Sequence, residues 1–379
     1  MRIVAKPLLH LVESSARHPW LEKLILELDL DNFEQQLFSL SQPGRINLYL
    51  DGQFPNFSSK SRFKVIRLFR VFTKILRYIE KNPNGMLLVQ GHLPAIVGSL
   101  ACRIMKYPYC YIHHNQPLYF ELLRKRKPIR GFIHNLLYLY YIRNAQVVQS
   151  LSSDVTNLLL QRNVEPDRII ELGHGIDFNE FERKLMESQE APLLNTGSII
   201  LMVGRLAWEK NYTTAIEAMR LVCEEIPNAK LLIAGEGPQK EDLLKLVVKL
   251  GLDSKVTFLG MVKNIPALMN QSDALLHTSF TESYGQIYIE AALVDLSVIS
   301  FPVGVASDAK FSELAKLTLL SDNDSSSIAR SIIQFLKKPR VERRRFSENR
   351  DRFFMHDQEF IFPWVSRYLL AVNRIEVIE

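Results

Sequence analysis

Residues able to do chemistry together gather in the C-terminal half of this 379-residue chain. The strand-like run Ile199–Val203 leads into Gly204-Arg205-Leu206-Ala207-Trp208-Glu209-Lys210-Asn211. A glycine at that place lets the backbone turn tightly, and ligands of open α/β sheets sit beyond the carboxyl ends of strands. Arg205 offers a planar fork and Lys210 a point charge, a combination suited to a diphosphate. Taken alone, the same residues would also serve as an ordinary strand-to-helix loop with solvated basic side chains. A second strand, near Lys230–Ala234, ends in Gly235-Glu236-Gly237-Pro238, which by itself is good turn chemistry. The third feature runs Ser279-Phe280-Thr281-Glu282-Ser283-Tyr284-Gly285-Gln286-Ile287-Tyr288-Ile289-Glu290. Glu282 falls in a loop after a strand, Tyr284-Gly285 open a helix, and Glu290 lies further along it. Amides at such a helix start face an anion, with the helix dipole favouring it. Without their neighbours the two glutamates would read as a cap and a surface residue.

In the first half, Pro108-Tyr109-Cys110-Tyr111-Ile112-His113-His114-Asn115 puts two histidines at a strand end. His113 reads as a strand residue facing a packed layer. Asp29-Leu30-Asp31 and Asp322-Asn323-Asp324 each spell Asp-x-Asp, but both read as caps or turns. The three cysteines, Cys102, Cys110 and Cys223, have no ligand spacing. Neither a metal nor a cofactor is expected, and a reducing compartment is the simpler setting.

Alternating apolar runs and amphipathic stretches supply the elements that position these residues, and they argue a parallel α/β architecture. Strands are expected near Leu8–Val12, Gln35–Leu40, Ile46–Leu50, Met86–Gln90, Tyr109–His113, Gln146–Gln149 and Ile169–Leu172. Helices are expected over Trp20–Leu28, Phe63–Lys81, Pro94–Met105, Ile133–Ile142 and Ser153–Arg162. After a linker around Glu187–Gly197, a second series places strands near Ile199–Val203, Lys230–Ala234, Val256–Phe258, Ala274–His277 and Ser297–Phe301. Its helices are Thr213–Glu225, Lys240–Leu250, Ile265–Met269, Tyr288–Val294 and Ser326–Leu336. A basic polar stretch then precedes a last helix, Gln358–Arg374. Two doubly wound domains with a cleft between them is the economical reading.

Apolar residues make up 47% and charged residues 23%, an ordinary globular balance with no sign of disorder. No run approaches the roughly 20 apolar residues of a membrane span. Residues 1–20 lack the apolar core and small-residue cleavage site of a signal peptide. Charge is uneven: +9 over residues 1–178 (23 basic, 14 acidic) against −3 over 179–379 (24 basic, 27 acidic). A basic half implies an anionic partner. Residues 62–81 set Arg67, Arg70, Lys74 and Arg77 on one helical face, and the cluster Arg124–Arg130 precedes the aromatic stretch Leu136–Ile142. Basic clusters beside aromatics suit an anionic bilayer surface, and no nucleic-acid motif accompanies them.

The order of the three C-terminal features resembles the family 4 retaining glycosyltransferases, the glycosyl transferases group 1. The frame is Gly-Arg-x4-Lys, then strand-Gly-Glu-Gly-Pro, then Phe-x-Glu-Ser-Tyr-Gly-x4-Glu-Ala. Val256-Thr257-Phe258-Leu259-Gly260 is similar to that family's "VxFLG" segment. Leu151-Ser152 and Glu171–Asp177 resemble its "vS…ipnGvD" stretch, and Pro108–Asn115 its "PvvxtxHd" segment, with His114 on the histidine. The resemblance covers about residues 86–336. Where members carry a Gly-Gly loop after the first strand, this chain has Glu13-Ser14-Ser15-Ala16-Arg17-His18, which departs from the pattern on the acceptor side.

The resemblance implies a GT-B fold of two Rossmann-like doubly wound domains facing across a cleft. It implies an acceptor-binding domain at 1–185, a donor-binding domain at 186–355, and a terminal helix at 356–379 packing back onto the first. It implies transfer of a sugar from a nucleoside diphosphate sugar to a glycan or lipid-linked acceptor with retention, UDP before GDP. Arg205 and Lys210 would clamp the diphosphate, Glu282 would approach the donor sugar, and His114 would meet a sugar hydroxyl. Gly204 and Gly260 would border the nucleotide, Ser283, Tyr284, Gly285, Gln286 and Ile287 the sugar and phosphate, and Glu290 the ribose. The setting would be cell-envelope glycan (lipopolysaccharide-type) synthesis, with the enzyme cytoplasmic and peripheral at the inner membrane surface. A nucleotide-sugar epimerase of the same fold, or a silent sugar- or membrane-binding scaffold, is the alternative.

Overall fold

The computed structural model describes residues 7–12, 34–39, 64–113, 124–125, 127–171, 173, 176, 178–187, 197–339 and 343–356. The chain divides into two units, with the division between residues 175 and 176. That is earlier than the expected 185/186 boundary. The reason is the helix Phe178–Met186, whose Phe181 ring stacks on Phe346 at 5.6 Å and whose Lys184 carbonyl accepts from Asn264.

The first unit carries a six-stranded sheet of β1 (Pro7–Val12), β2 (Glu34–Ser39), β3 (Met86–Gln90), β4 (Tyr109–Ile112), β5 (Val147–Ser150) and β6 (Ile169–Glu171). Its order is β2-β1-β3-β4-β5-β6 and every pairing is parallel. β3, β4 and β5 are buried along their whole length, which is why they read as largely apolar runs rather than alternating ones. Helices α1 (Lys64–Lys81), α2 (His92–Met105), α3 (Pro128–Asn144) and α4 (Ser153–Gln161) belong to this unit. Val71 and Ile75 of α1, Ala95 and Ala101 of α2 and Tyr138 and Tyr141 of α3 join Leu87, Val89 and Tyr111 in one core. α3 starts earlier than its apolar pattern, because Pro128 at the first turn is preset for a helix and lacks only an N–H that has no partner there.

The second unit carries β7 (Ser198–Val203), β8 (Ala229–Ala234), β9 (Val256–Gly260), β10 (Ala274–His277), β11 (Ser297–Ser300) and β12 (Leu317–Leu319). The order β12-β11-β10-β7-β8-β9 is again parallel throughout. The winding reverses between β7 and β10, so the carboxyl ends of these two neighbours mark the switch point at which such sheets take ligands. The helix Phe178–Met186 is α5, followed by α6 (Tyr212–Glu225), α7 (Lys240–Lys249), α8 (Ile265–Asn270), α9 (Gln286–Leu293), α10 (Ala309–Leu314), α11 (Ser325–Leu336) and α12 (Phe346–His356). Asn264 caps α8 through the Ala267 amide and Asp324 caps α11 through the Ser327 amide, at 3.0 and 2.9 Å.

Within the stretch expected to be basic and polar, residues 346–356 form α12, anchored by Phe346. The edge strand β12 and the short α10 were too brief to show a periodicity. The expected strand Ile46–Leu50, the helix Trp20–Leu28, the terminal helix beyond residue 356, Asp29–Asp31 and the loop Glu13–His18 lie outside the described residues.

Candidate functional site

Three strand ends of the second unit meet backbone to backbone. The Gly204 amide donates to Ala234 O at 3.0 Å and the Gly235 amide to Gly260 O at 2.7 Å, tying β7, β8 and β9 together just past their last residues. A Cβ at Gly235, where φ is +147°, would lie 1.9 Å from the Gly204 carbonyl oxygen, so only glycine permits this approach. Gly204 and Gly260, both expected at the site, are thus tied to the carboxyl end of β8.

The turn after Gly204 carries the two expected cations. Arg205 projects outward and its Nη2 meets Glu209 Oε1 at 2.5 Å. A single 3-10 turn, Trp208–Lys210, then brings Lys210 back towards Gly204. The Lys210 ammonium donates to Glu282 Oε1 at 2.5 Å, so residues 72 positions apart form one ion pair. The loop holding Glu282 is fastened to the same turn: Thr278 Oγ1 donates to the Lys210 carbonyl, and the Phe280 amide to the Glu209 carbonyl at 2.9 Å.

His277, the last residue of β10, completes the network. Its Nε2 lies 2.7 Å from the same Glu282 oxygen, and its ring stands edge-on to Tyr288 at 4.9 Å. Burial pushes the His277 imidazole below its ordinary value, so a neutral ring donates its N–H to the carboxylate. Burial opposes the Glu282 charge, but the hydrogen bond from His277 and the Lys210 ammonium outweigh it and hold the carboxyl at about 2. Glu282 is thus an ionised carboxylate with one oxygen doubly engaged.

Gly285 opens α9 in the left-handed conformation (φ +83°), with a would-be Cβ 2.5 Å from the Tyr288 ring. The first amides of the helix, including those of Gln286 and Ile287, have no intrahelical acceptor by helix geometry. Tyr284 is buried and Ser283 half-buried; Gln286 is exposed. Glu290, one turn into α9, is pushed up to about 7 by burial, against a smaller pull from Lys184. It titrates near neutrality.

Sequence reasoning missed Glu209, His277 and Asn323, whose Oδ1 accepts from Asn211 Nδ2 at 2.7 Å. Glu209 had a signal: it stands four residues after Arg205. Asn323 had none, being 112 residues away in sequence.

His114 lies outside the described residues. His113 is buried in the first unit's core, its Nε2 2.8 Å from the Tyr138 hydroxyl, as expected of a packed strand residue. Arg70 and Arg77 are exposed on α1, and burial followed by those two charges lowers the Lys74 ammonium. The backbone of Arg67 lies in α1, while its side chain and all of Arg126 lie outside what is described. Arg124, Lys125, Lys127 and Arg130 are exposed, next to exposed Ile129, Phe132, Ile133 and Leu136 of α3. Among the described residues no helix is long and apolar enough to cross a membrane. No three His, Cys, Asp or Glu among them come together as metal ligands.

Residues 186–353 match the family described as glycosyl transferases group 1. The chain is 24% identical over 266 residues to 2-deoxystreptamine glucosyltransferase of Streptomyces kanamyceticus, covering 66% of this chain and 68% of that one. It is 24% identical to alpha-monoglucosyldiacylglycerol synthase of Acholeplasma laidlawii, over 62% of this chain and 64% of that relative's own length. Among solved structures it is similar to Anabaena HepE in complex with UDP and glucose, with a TM-score of 0.72, 17% identity, and coverage of 97% and 99% of the two chains. At that identity the likeness is one of fold.

Proposed function

We propose, from the premise that residues 186–353 of this chain belong to the glycosyl transferases group 1 on a GT-B fold, that the protein transfers a sugar from a nucleoside diphosphate sugar with retention of configuration. The observation that carries this is the Lys210–Glu282 ion pair at the β7/β10 switch point, with Arg205 in the same turn as Lys210 and α9 opening just after Glu282 in the chain. Negative charge grows on the diphosphate as the sugar departs, and preset cations and helix-start amides stabilise it there. No protein nucleophile is needed in this reading; the donor phosphate assists deprotonation of the acceptor. Glu282 orients the donor sugar through its carboxylate, and Glu290 takes the ribose hydroxyls.

UDP is favoured over GDP, supported by the UDP and glucose named for the HepE complex. A lipid-linked or glycan acceptor is supported by the diacylglycerol-glycosylating relative and by the character of α3. Ile129 is 80% exposed and, with Phe132, Ile133 and Leu136, adds exposed apolar side chains to a segment that also exposes Arg124, Lys125, Lys127 and Arg130. Apolar side chains among cations suit the interface of an anionic bilayer, where the protein would work peripherally on envelope glycans.

The test is calorimetric binding of UDP and GDP, followed by incubation with UDP-sugars and acceptor panels, with the anomeric configuration of product read by NMR. Conversion of donor without an acceptor would show an epimerase instead, and binding without any turnover a silent scaffold.

A further inference from the structure

Two cations face the expected diphosphate, and each is already paired with a carboxylate, but the two pairs differ. Glu282 has a second partner in His277, so Lys210 can shift without stranding it. Among the described residues Glu209 has no such support. Its side chain is 3% exposed while that of Arg205 is 65% exposed. Glu209 Oε1 takes Arg205 Nη2, Oε2 is buried, and no hydrogen bond from the described residues reaches Oε2. The carboxylate cannot follow a departing guanidinium, because its backbone is held in the Trp208–Lys210 turn and by the Phe280 amide.

We infer that Glu209 is a positioning residue that holds the Arg205 guanidinium as a fixed fork for the donor diphosphate. A buried carboxylate losing its one cationic partner is strongly disfavoured. An exposed arginine without a tether samples many rotamers, and ordering it opposes binding. The guanidinium has five N–H donors in a rigid plane, so one edge stays on Glu209 while the remaining donors reach phosphate oxygens. This role rests on the donor reading given above. It also separates the cations: Arg205 is preset, whereas Lys210 is shared between Glu282 and ligand.

The test uses the full chain with UDP as the probe, in wild type, Glu209→Gln, Arg205→Ala and the double variant, with calorimetry and thermal melting. Glu209→Gln keeps size and an acceptor oxygen but removes the charge. It should weaken UDP binding about three- to tenfold, the effect of untethering one rotamer-rich side chain. In the Arg205→Ala background Glu209→Gln should leave UDP affinity unchanged, because Glu209 acts only through Arg205. There it should also raise the melting temperature, by neutralising a stranded carboxylate. A merely structural glutamate would do neither. Unaltered UDP binding in Glu209→Gln, or losses that add in the double variant, overturns the role while leaving the donor reading intact. Absence of UDP and GDP binding in the wild type overturns both.

Discussion

Lys210 Nζ and Glu282 Oε1 lie 2.5 Å apart, although the two residues come from the ends of different strands, β7 and β10. Their ion pair closes the switch point of the second sheet. In the proposed reading, it fixes where a donor diphosphate meets a cation and where a donor sugar meets a carboxylate.

Replacing either cation should therefore slow transfer without unfolding the protein. Lys210→Ala and Arg205→Ala are each expected to lower kcat/KM by about 2–4 kcal/mol of transition-state stabilisation, the range for a lost charge-stabilising donor. Steady-state kinetics beside a circular dichroism melt decides this. Near-normal turnover in both variants removes them from the site.

Glu282→Gln should reduce kcat more than UDP affinity, since its carboxylate is assigned to the sugar. Its pH signature is separate. A carboxyl held at about 2, below its ordinary 4.5, stabilises the fold above 4.5, and that contribution fades as pH falls from 4.5 through 2. Acid titration of stability should show wild type losing more than Glu282→Gln across that window; parallel curves would contradict the pairing.

Glu290 has the opposite sign. Its folded value of about 7 exceeds its ordinary 4.5, so keeping the proton favours the fold, and stability contributed by that proton is lost as pH rises from 4.5 through 7. In the proposed reading, ribose hydroxyls donate to the ionised form. UDP affinity should rise as pH passes about 7 in wild type and stay low and flat in Glu290→Gln. A wild-type affinity independent of pH would place the ribose elsewhere.

Gly235→Ala forces a Cβ towards the Gly204 carbonyl at 1.9 Å and keeps a positive φ that alanine resists. A loss of at least roughly 1–3 kcal/mol of stability is expected, together with weaker nucleotide binding. Denaturant unfolding with unchanged stability would mean that the strand ends can part freely.

At the membrane, each Lys or Arg near an anionic leaflet contributes about 1 kcal/mol, screened by salt over about 8–10 Å. The protein should sediment with anionic but not neutral vesicles and be released by high salt. Reversing Arg70, Lys74 and Arg77 together should weaken that binding, as should Ile129→Ser with Phe132→Ser. Equal binding to neutral vesicles would assign the basic helices to a soluble anionic partner.

Much of this was written in the sequence. The runs Met86–Gln90 and Ala274–His277 appear as strands with the expected bounds, because strands buried on both faces are apolar over most of their length. Gly204, Arg205, Lys210, Glu282 and Glu290 could be named as candidates because their order along the chain resembles a family's frame, and that frame is short-range: a glycine after a strand, cations in the next turn, a carboxylate before a helix. Local spacing fixes such features. The three-dimensional fold alone decided which groups share an atom. His277 and Lys210 converge on one oxygen of Glu282 because β10 lies beside β7 in the sheet, a neighbour relation set by winding rather than by sequence distance. Burial, too, belongs to the folded state: it makes Glu290 titrate near neutrality and leaves Glu209 dependent on Arg205. Desolvation of a carboxylate depends on everything packed around it, and most of those residues lie far away in the chain.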